Sequence, residues 1–413
     1  MQTLLSFSLI IYFIFYAFEG VIRYGFNLVG ADQLIFIRDI LLIVPLIGIF
    51  IGQLSKRKVH PAYWVYFFVI VLHGTVMVVN TGSIMSVVYT AKMLMTLVVG
   101  ALMVRHIFYP SKRIVAALFF LWLITLVGVG LDKYVVEMPW MGLETVIGDV
   151  KVEISRDWQI SGEEKRAAGF MRSSINAATI TPLIAIMLMF HLRRIWLRVA
   201  VALGTGVILY WTTQKGPIVG YLLVLGCLLI MPKRQLTSLR LGFFVAMIAA
   251  ILFPVVLSGY NMDHSGGVFS FSSFNDRLVQ MWPEAWKWIE RNDAFPFGIG
   301  LGGISGAQRL FAPYEMNAAD NMFILMYAFF GMMSFVYLGW LSWRVIKLPN
   351  QQDKAVNQAM AILVYIFGYG IVISIFEDQM ASLFLGAAAM FVYSASEKKD
   401  ASLTSTSQAL VVP

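Results

Sequence analysis

The sequence predicts an all-α fold, a polytopic helical bundle embedded in a membrane, and three observations carry that prediction. Of 413 residues, 59% are hydrophobic and only 13% are charged. The mean hydropathy of +0.76 puts the average residue on the lipid side of the scale. Apolar stretches of about 16 to 21 residues, each enough for roughly one bilayer crossing, recur along the chain. The loops between them sort by charge, short and basic on one side, long and mixed on the other.

The first stretch, residues 1 to 18, lacks a basic leader and a small-residue cleavage site, so it reads as a retained first helix. Others follow near 34 to 53, 62 to 80, 84 to 104, 114 to 131 and 176 to 191. Six more lie near 195 to 212, 217 to 231, 241 to 258, 320 to 341, 355 to 376 and 380 to 395. About twelve transmembrane helices are expected, in a single integral-membrane domain covering 1 to 413. SKRK (55 to 58), RHIFYPSKR (105 to 113), HLRRIWLR (191 to 198), PKRQLTSLR (232 to 240), WRVIKLPNQQDK (343 to 354) and EKKD (397 to 400) then share one side. The positive-inside tendency makes that side cytoplasmic and puts both termini there. The net charge of +8 is thus a matter of topology and implies no nucleic-acid partner. On the outer side lie two long segments, 132 to 175 and 259 to 319, with short turns such as TTQKG (212 to 216) and FEDQ (376 to 379). Long connections are uncommon unless they have a job, so the chemistry is sought on that face.

Several signals exclude other classes. The single cysteine, Cys227, lies in an apolar run, which leaves no disulfide framework and no thiolate cluster. His60, His73, His106, His191 and His264 are scattered without ligand spacing, so neither a metal site nor a cofactor is expected. GIGLGG (298 to 303) matches G-x-G-x-x-G but follows no strand. It reads as a flexible loop whose glycines permit close backbone approach or a tight turn, and with Gly162, Gly266 and Gly267 it would let the outer loops move as a lid. Arg38, Asp39 and Lys92 are charges within helices; such groups face the bundle interior, and Arg38 or Lys92 is expected to pair with a carboxylate.

Basic residues on the outer side need a separate reason: Arg156, Arg166, Arg172, Lys215, Arg277, Arg291 and Arg309. In NDRLVQMWPEAWKWIERND, Leu278, Trp282, Trp286 and Ile289 recur at helical spacing, which predicts an interfacial amphipathic helix with its tryptophans at headgroup depth. Guanidinium groups match phosphate oxygens in bidentate fashion, so these cations suit a lipid-linked phosphate or diphosphate. Their alternative partners are anionic headgroups, or Asp157, Glu163, Glu164 and Asp276. The run NAADNMFILMYAFFGMM (317 to 333) carries Asp320 in what reads as its first turn. The helix dipole favours such an acid by roughly 0.3 to 1 kcal/mol, yet an acid at an interface is costlier than in water, and Asn321 is polar too. Asp320 is therefore also a candidate general base for an attacking hydroxyl.

The order of these features resembles the superfamily of O-antigen ligases and Wzy-type O-antigen or exopolysaccharide polymerases, integral-membrane glycosyltransferases of the bacterial envelope. The family's R-x-x-G segment followed by Asn looks like Arg166, Gly169 and Asn176; its T-x-S-R-G-like turn looks like TTQKG, with Lys215 and Gly216. Its P-x-G-x-G-like stretch looks like FPFGIGLGG after Arg277, and its H-N-x helix start with a following Gly looks like DNMFILMYAFFG, with Asp320, Asn321 and Gly331. The resemblance covers roughly residues 150 to 335. Lipid A core ligases carry His where this chain has Asp320 and commonly Arg where it has Lys215. These departures favour polymerase over ligase.

The resemblance implies a metal-independent transfer, on the periplasmic face of the bacterial inner membrane, of glycan from undecaprenyl diphosphate to a lipid-linked acceptor. Asp320 would act on the acceptor hydroxyl. Arg156, Arg166, Arg172, Asn176, Lys215, Arg277 and Asn321 would contact diphosphate or glycan. The implied partners are the lipid-linked oligosaccharide and membrane lipids, with a chain-length regulator and a flippase as candidates. The alternatives are an O-antigen ligase acting on lipid A core, or a transporter; the absence of an evident internal repeat weighs against transport.

Overall fold

The computed structural model describes residues 2 to 147, 150 to 155, 159 to 160, 164 to 262, 271 to 350 and 353 to 409. It is helical almost throughout, as expected. The strands form two short antiparallel hairpins, Glu144–Ile147 with Val150–Glu153 and Gln159–Ile160 with Glu164–Lys165, inside the first long connection. Among the described residues eight helices are long and apolar enough to cross a membrane, or nine if the bent pair Phe7–Ala17 and Glu19–Leu28 is one span. The other predicted stretches are helical but shorter: Lys215–Ile230, Lys354–Gly370, and a 320 to 341 stretch divided into Met322–Phe330 and Met333–Lys347.

The chain packs as two compact units, each discontinuous in sequence. The first comprises Met1–Pro61 and Arg105–Ile218. Its centre is Ser174–His191, 78% of whose apolar window is buried, flanked by Lys112–Tyr134 and Ile195–Thr212. Trp122 lies over Gly204 and donates its indole N–H to Thr205 Oγ1 at 3.0 Å, so a large ring is buried with its polar atom satisfied. At the periphery, Ile37–Ser55 buries only 22% of its window and leaves Ile40, Val44, Ile47 and Ile51 exposed at helical spacing. An outward apolar stripe of this kind fits a multi-pass membrane protein, where lipid takes the place of water.

The second unit comprises Ala62–Val104, Val219–Ser265 and Phe271–Pro413. Gln379–Ala409 runs through it against Ile84–Leu102, and Lys354–Gly370 is buried from Ala355 onward. Gly100 and Gly386 sit directly on the Leu383 and Leu97 carbonyls, which brings the first two helices to backbone contact. Close approach through small residues replaces the hydrophobic drive that lipid cannot supply. At one end of this unit Arg240 donates to the Leu348 carbonyl (2.6 Å) and Arg344 pairs with Glu397. At the other end gather the 81 to 83 turn, the 271 to 320 segment and the 371 to 378 turn.

Candidate functional site

The 271 to 320 segment begins with Ser272–Asp276, passes through a π-helical turn at Arg277–Met281 and continues as Trp282–Arg291. The π turn, closed by Trp282 N–H on the Arg277 carbonyl, is the kind of local distortion that re-aims a side chain. Arg277 projects from it, donating from Nη1 to the Ser273 carbonyl (2.6 Å) and from Nη2 to Asp320 Oδ2 (2.8 Å). The side chains of this pair are 20% and 31% exposed, so the carboxylate remains reachable from solvent. Arg277 engages Asp320, 43 positions away, and not its sequence neighbour Asp276.

The predicted amphipathic helix is present, and its apolar stripe packs on protein. Leu278, Trp282, Ala285 and Ile289 have no exposed surface. The Trp286 indole N–H donates to the Pro254 carbonyl (2.8 Å), and its ring packs on Phe323 and Tyr327. Trp288 N–H donates to the Gly303 carbonyl (2.9 Å). Pro254 lies in the last turn of Gln235–Val256, where carbonyls lack a helical partner, so a tryptophan N–H on a neighbouring helix is well placed to satisfy one.

GIGLGG is likewise no flexible loop. Residues 298 to 305 are buried. Ile299 and Gly300 N–H both donate to the Ala328 carbonyl (2.7 and 3.2 Å), Leu301 N–H donates to the His73 carbonyl, and Asn80 Nδ2 reaches the Ile299 carbonyl. The expectation of close backbone approach is met; that of flexibility is not, because the loop's polar backbone groups are held by helices on both sides. The other glycines considered for lid motion, Gly162, Gly266 and Gly267, lie outside the described residues.

Docking of this loop also breaks the predicted 320 to 341 helix. In an unbroken helix the Ala328 carbonyl would accept from Met332 N–H. Here that carbonyl serves the loop, Met332 N–H turns to the Pro296 carbonyl (3.0 Å), and Gly331 takes φ +55° to make the break.

Asp320 does not occupy a first helical turn. The helix starts at Met322 with Asn321 as its N-cap, and Asp320 precedes the cap in left-handed backbone, φ +39°, a conformation that Asp tolerates better than most residues. Asn321 is fully buried. Its Oδ1 accepts from Phe323 and Ile324 N–H (2.8 and 2.9 Å), and its Nδ2 donates to the Ala250 and Ile371 carbonyls (3.1 and 2.9 Å). Both amide hydrogens and both lone pairs are engaged within the protein, so its side chain has no capacity left for a ligand.

One group of this end escaped the sequence reading. Glu377, in the FEDQ turn, accepts from Ser305 Oγ at Oε2 (2.9 Å) and from Gly306 N–H at Oε1 (2.6 Å). Burial pushes its carboxyl above the ordinary carboxylate range and the Asp320 charge adds to that, while these two hydrogen bonds and Arg309 oppose the rise. With Tyr89, Thr90, Met93, Leu94, Ala307, Phe329 and Phe376 it lines a small recess. The signal available in the sequence was an acid in a short turn on the side that carries the long loops.

In the first unit, Asp132, at the end of Lys112–Tyr134, holds the segment that leads to Arg166. It is buried, accepts from Ala168 and Gly169 N–H (2.7 and 2.9 Å) and pairs with Lys165 (2.7 Å). Arg166 is half-buried beside this clamp. Arg172 lies 3.7 Å from Glu153, a carboxylate outside the set named as alternative partners. Asn176 accepts from Ser173 Oγ and donates to Glu19 (3.4 Å). Glu19 itself pairs with Arg23 and Arg38 (2.6 Å each), which answers the expectation for Arg38; Lys92 lies over the Tyr89 ring in the second unit. Lys215 opens the Lys215–Ile230 helix and is half-buried. Arg156, Asp157 and Glu163 lie outside the described residues.

No protein-family model and no curated protein matches the sequence.

Proposed function

We propose that the protein is a polymerase of lipid-linked polysaccharide repeat units, an O-antigen or exopolysaccharide, acting on the periplasmic face of a bacterial inner membrane. The observation that carries the reading is Asp320, a partly exposed carboxylate held by Arg277 at the end of a helical unit that gathers one of the two long loops. In the reaction, an acceptor hydroxyl oxygen bonds to the anomeric carbon of the donor glycan. The bond from that carbon to the diphosphate oxygen breaks, and undecaprenyl diphosphate leaves with the electron pair. Asp320 takes the hydroxyl proton as general base. Arg277 fixes the carboxylate, since a guanidinium bonded to two partners pins its geometry better than a single contact. Arg156, Arg166, Arg172, Asn176 and Lys215 are also proposed as contacts to the diphosphate or glycan of the lipid-linked substrate, the cations among them suiting its negative charge. Asn321 is withdrawn from this set and assigned to the helix start. We further propose twelve crossings with both termini cytoplasmic, the Met322–Phe330 and Met333–Lys347 helices making one broken crossing. The helicity of every predicted apolar stretch supports this count.

The test is reconstitution of purified protein with lipid-linked repeat units. Asp320→Asn keeps the shape and removes the base, so single repeat units should accumulate. Extension by Asp320→Asn at the wild-type rate would overturn the assignment. Product joined to lipid A core in place of a lipid-linked acceptor would make the protein a ligase.

A further inference from the structure

Ser305 is a serine in backbone that suits glycine, with φ +68° and ψ −129°. Nothing about a buried serine favours that conformation, so its surroundings must impose it. Two residues of distant sequence do so. Glu377 takes Ser305 Oγ on one carboxylate oxygen and Gly306 N–H on the other, clasping the turn from both sides of the strained residue. Any Cβ at 306 would stand 2.7 Å from Glu377 Oε1, so the glycine is what admits the carboxylate. Ser305 N–H, aimed by this conformation, donates to the Asn317 carbonyl (2.9 Å), and Asn317 N–H donates to Oε1 of the buried Gln308 (3.0 Å). The 305 to 317 stretch is thereby closed into a loop, and Asp320 follows three residues after its closing point.

We infer that Glu377 is a positioning residue for Asp320: by clasping the Ser305–Gly306 turn it closes the 305 to 317 loop and sets where the Asp320 carboxylate stands beside Arg277. The inference rests on the proposed role of Asp320, but its structural half is independent of any activity. Glu377 touches no reacting atom; it acts through the loop. Glu377 lies on a different helix connection and is tied to the Asp320 segment through the 305 to 317 loop.

The chain of contacts makes a specific rescue available. Glu377→Ala removes the clasp, and the Ser305 backbone should relax toward ordinary conformations. Chain extension by the reconstituted protein should fall roughly tenfold to a hundredfold, the effect of displacing a reacting group by about an ångström. Amide hydrogen exchange across 305 to 317 should accelerate. Ser305→Gly adopts φ +68° without strain, so the double variant Glu377→Ala with Ser305→Gly should regain most of the protection and most of the rate. Glu377→Gln keeps one acceptor for Gly306 N–H and offers a donor to Ser305 Oγ, and should stay close to wild type. Unchanged exchange in Glu377→Ala, a double variant no better than the single one, or a Glu377→Gln as damaged as Glu377→Ala would each overturn the inference. Exchange that responds as stated while no variant, wild type included, extends chains would leave the clasp standing and sink the polymerase reading.

Discussion

Asp320 and Asn321 are adjacent, both polar, and both stand at the start of an apolar helix, yet they do different work. Asn321 is buried with every hydrogen-bonding position filled, so replacing it by Ala removes an N-cap and leaves two carbonyls, of Ala250 and Ile371, without a donor. A cap is worth about 1 kcal/mol and each orphaned buried group about 1 to 3 kcal/mol. Asn321→Ala should therefore destabilise the protein by roughly 3 to 7 kcal/mol, read as a drop in thermal unfolding midpoint in detergent. Loss of the partly exposed Arg277–Asp320 pair should cost less than about 1 kcal/mol, because water screens it. A variant at 321 that melts as wild type would show that the cap contributes little. The sequence marks both as site residues, Asp320 as the base and Asn321 as a contact to substrate; burial withdraws the second.

The break at Gly331 is the clearest case of one element shaping another. Gly331 has φ +55°, and a Cβ there would meet the Gly298 nitrogen and stand 2.5 Å from the Pro296 oxygen. Strain and overlap together make Gly331→Ala costly, by about 2 to 4 kcal/mol. Gly339, on the exposed side of the Met333–Lys347 helix, meets nothing within 4 Å, so Gly339→Ala should be neutral or stabilise by up to about 1 kcal/mol through helix propensity. The pair is measured by thermal melting and by the monodisperse fraction on size exclusion; equal behaviour of the two variants would contradict the docking of the 298 to 303 loop against this break. The same docking explains why GIGLGG looked flexible on paper. Glycine permits motion and close contact equally, and which one results depends on what lies beyond the missing side chain.

For the molecule as a whole, the placement of charge makes a prediction about sides. In a Cys227→Ala background, single cysteines at Arg57, Arg194 and Lys233 should be labelled only from the cytoplasm, and cysteines at Val136 and Tyr314 only from outside. All five positions are exposed, so accessibility is limited by the membrane and not by burial. Labelling of Arg194→Cys and Tyr314→Cys from one side would break the alternation on which twelve crossings rest. The division into two compact units has no counterpart in hydropathy. Its boundaries, at 61 to 62, 104 to 105 and 218 to 219, fall at the ends of helices or inside one, with no change in composition to mark them.

Membrane class, helical content and the approximate positions of the apolar stretches were all legible in the sequence, because hydropathy is a property of short windows and helices form from local contacts. The candidate site was legible as a list of residues and illegible as an arrangement. Arg277 lies 43 positions from Asp320, Ser305 lies 72 from Glu377, and Arg38 lies 19 from Glu19. Such pairings depend on which helix ends meet, and many pairings of the same charges satisfy the same sequence. Folding chose among them by excluding water: the residues whose polar groups found partners as the helices closed, Asn321 and Glu377 among them, became fixed, and the carboxylate of Asp320 stayed partly in reach of solvent.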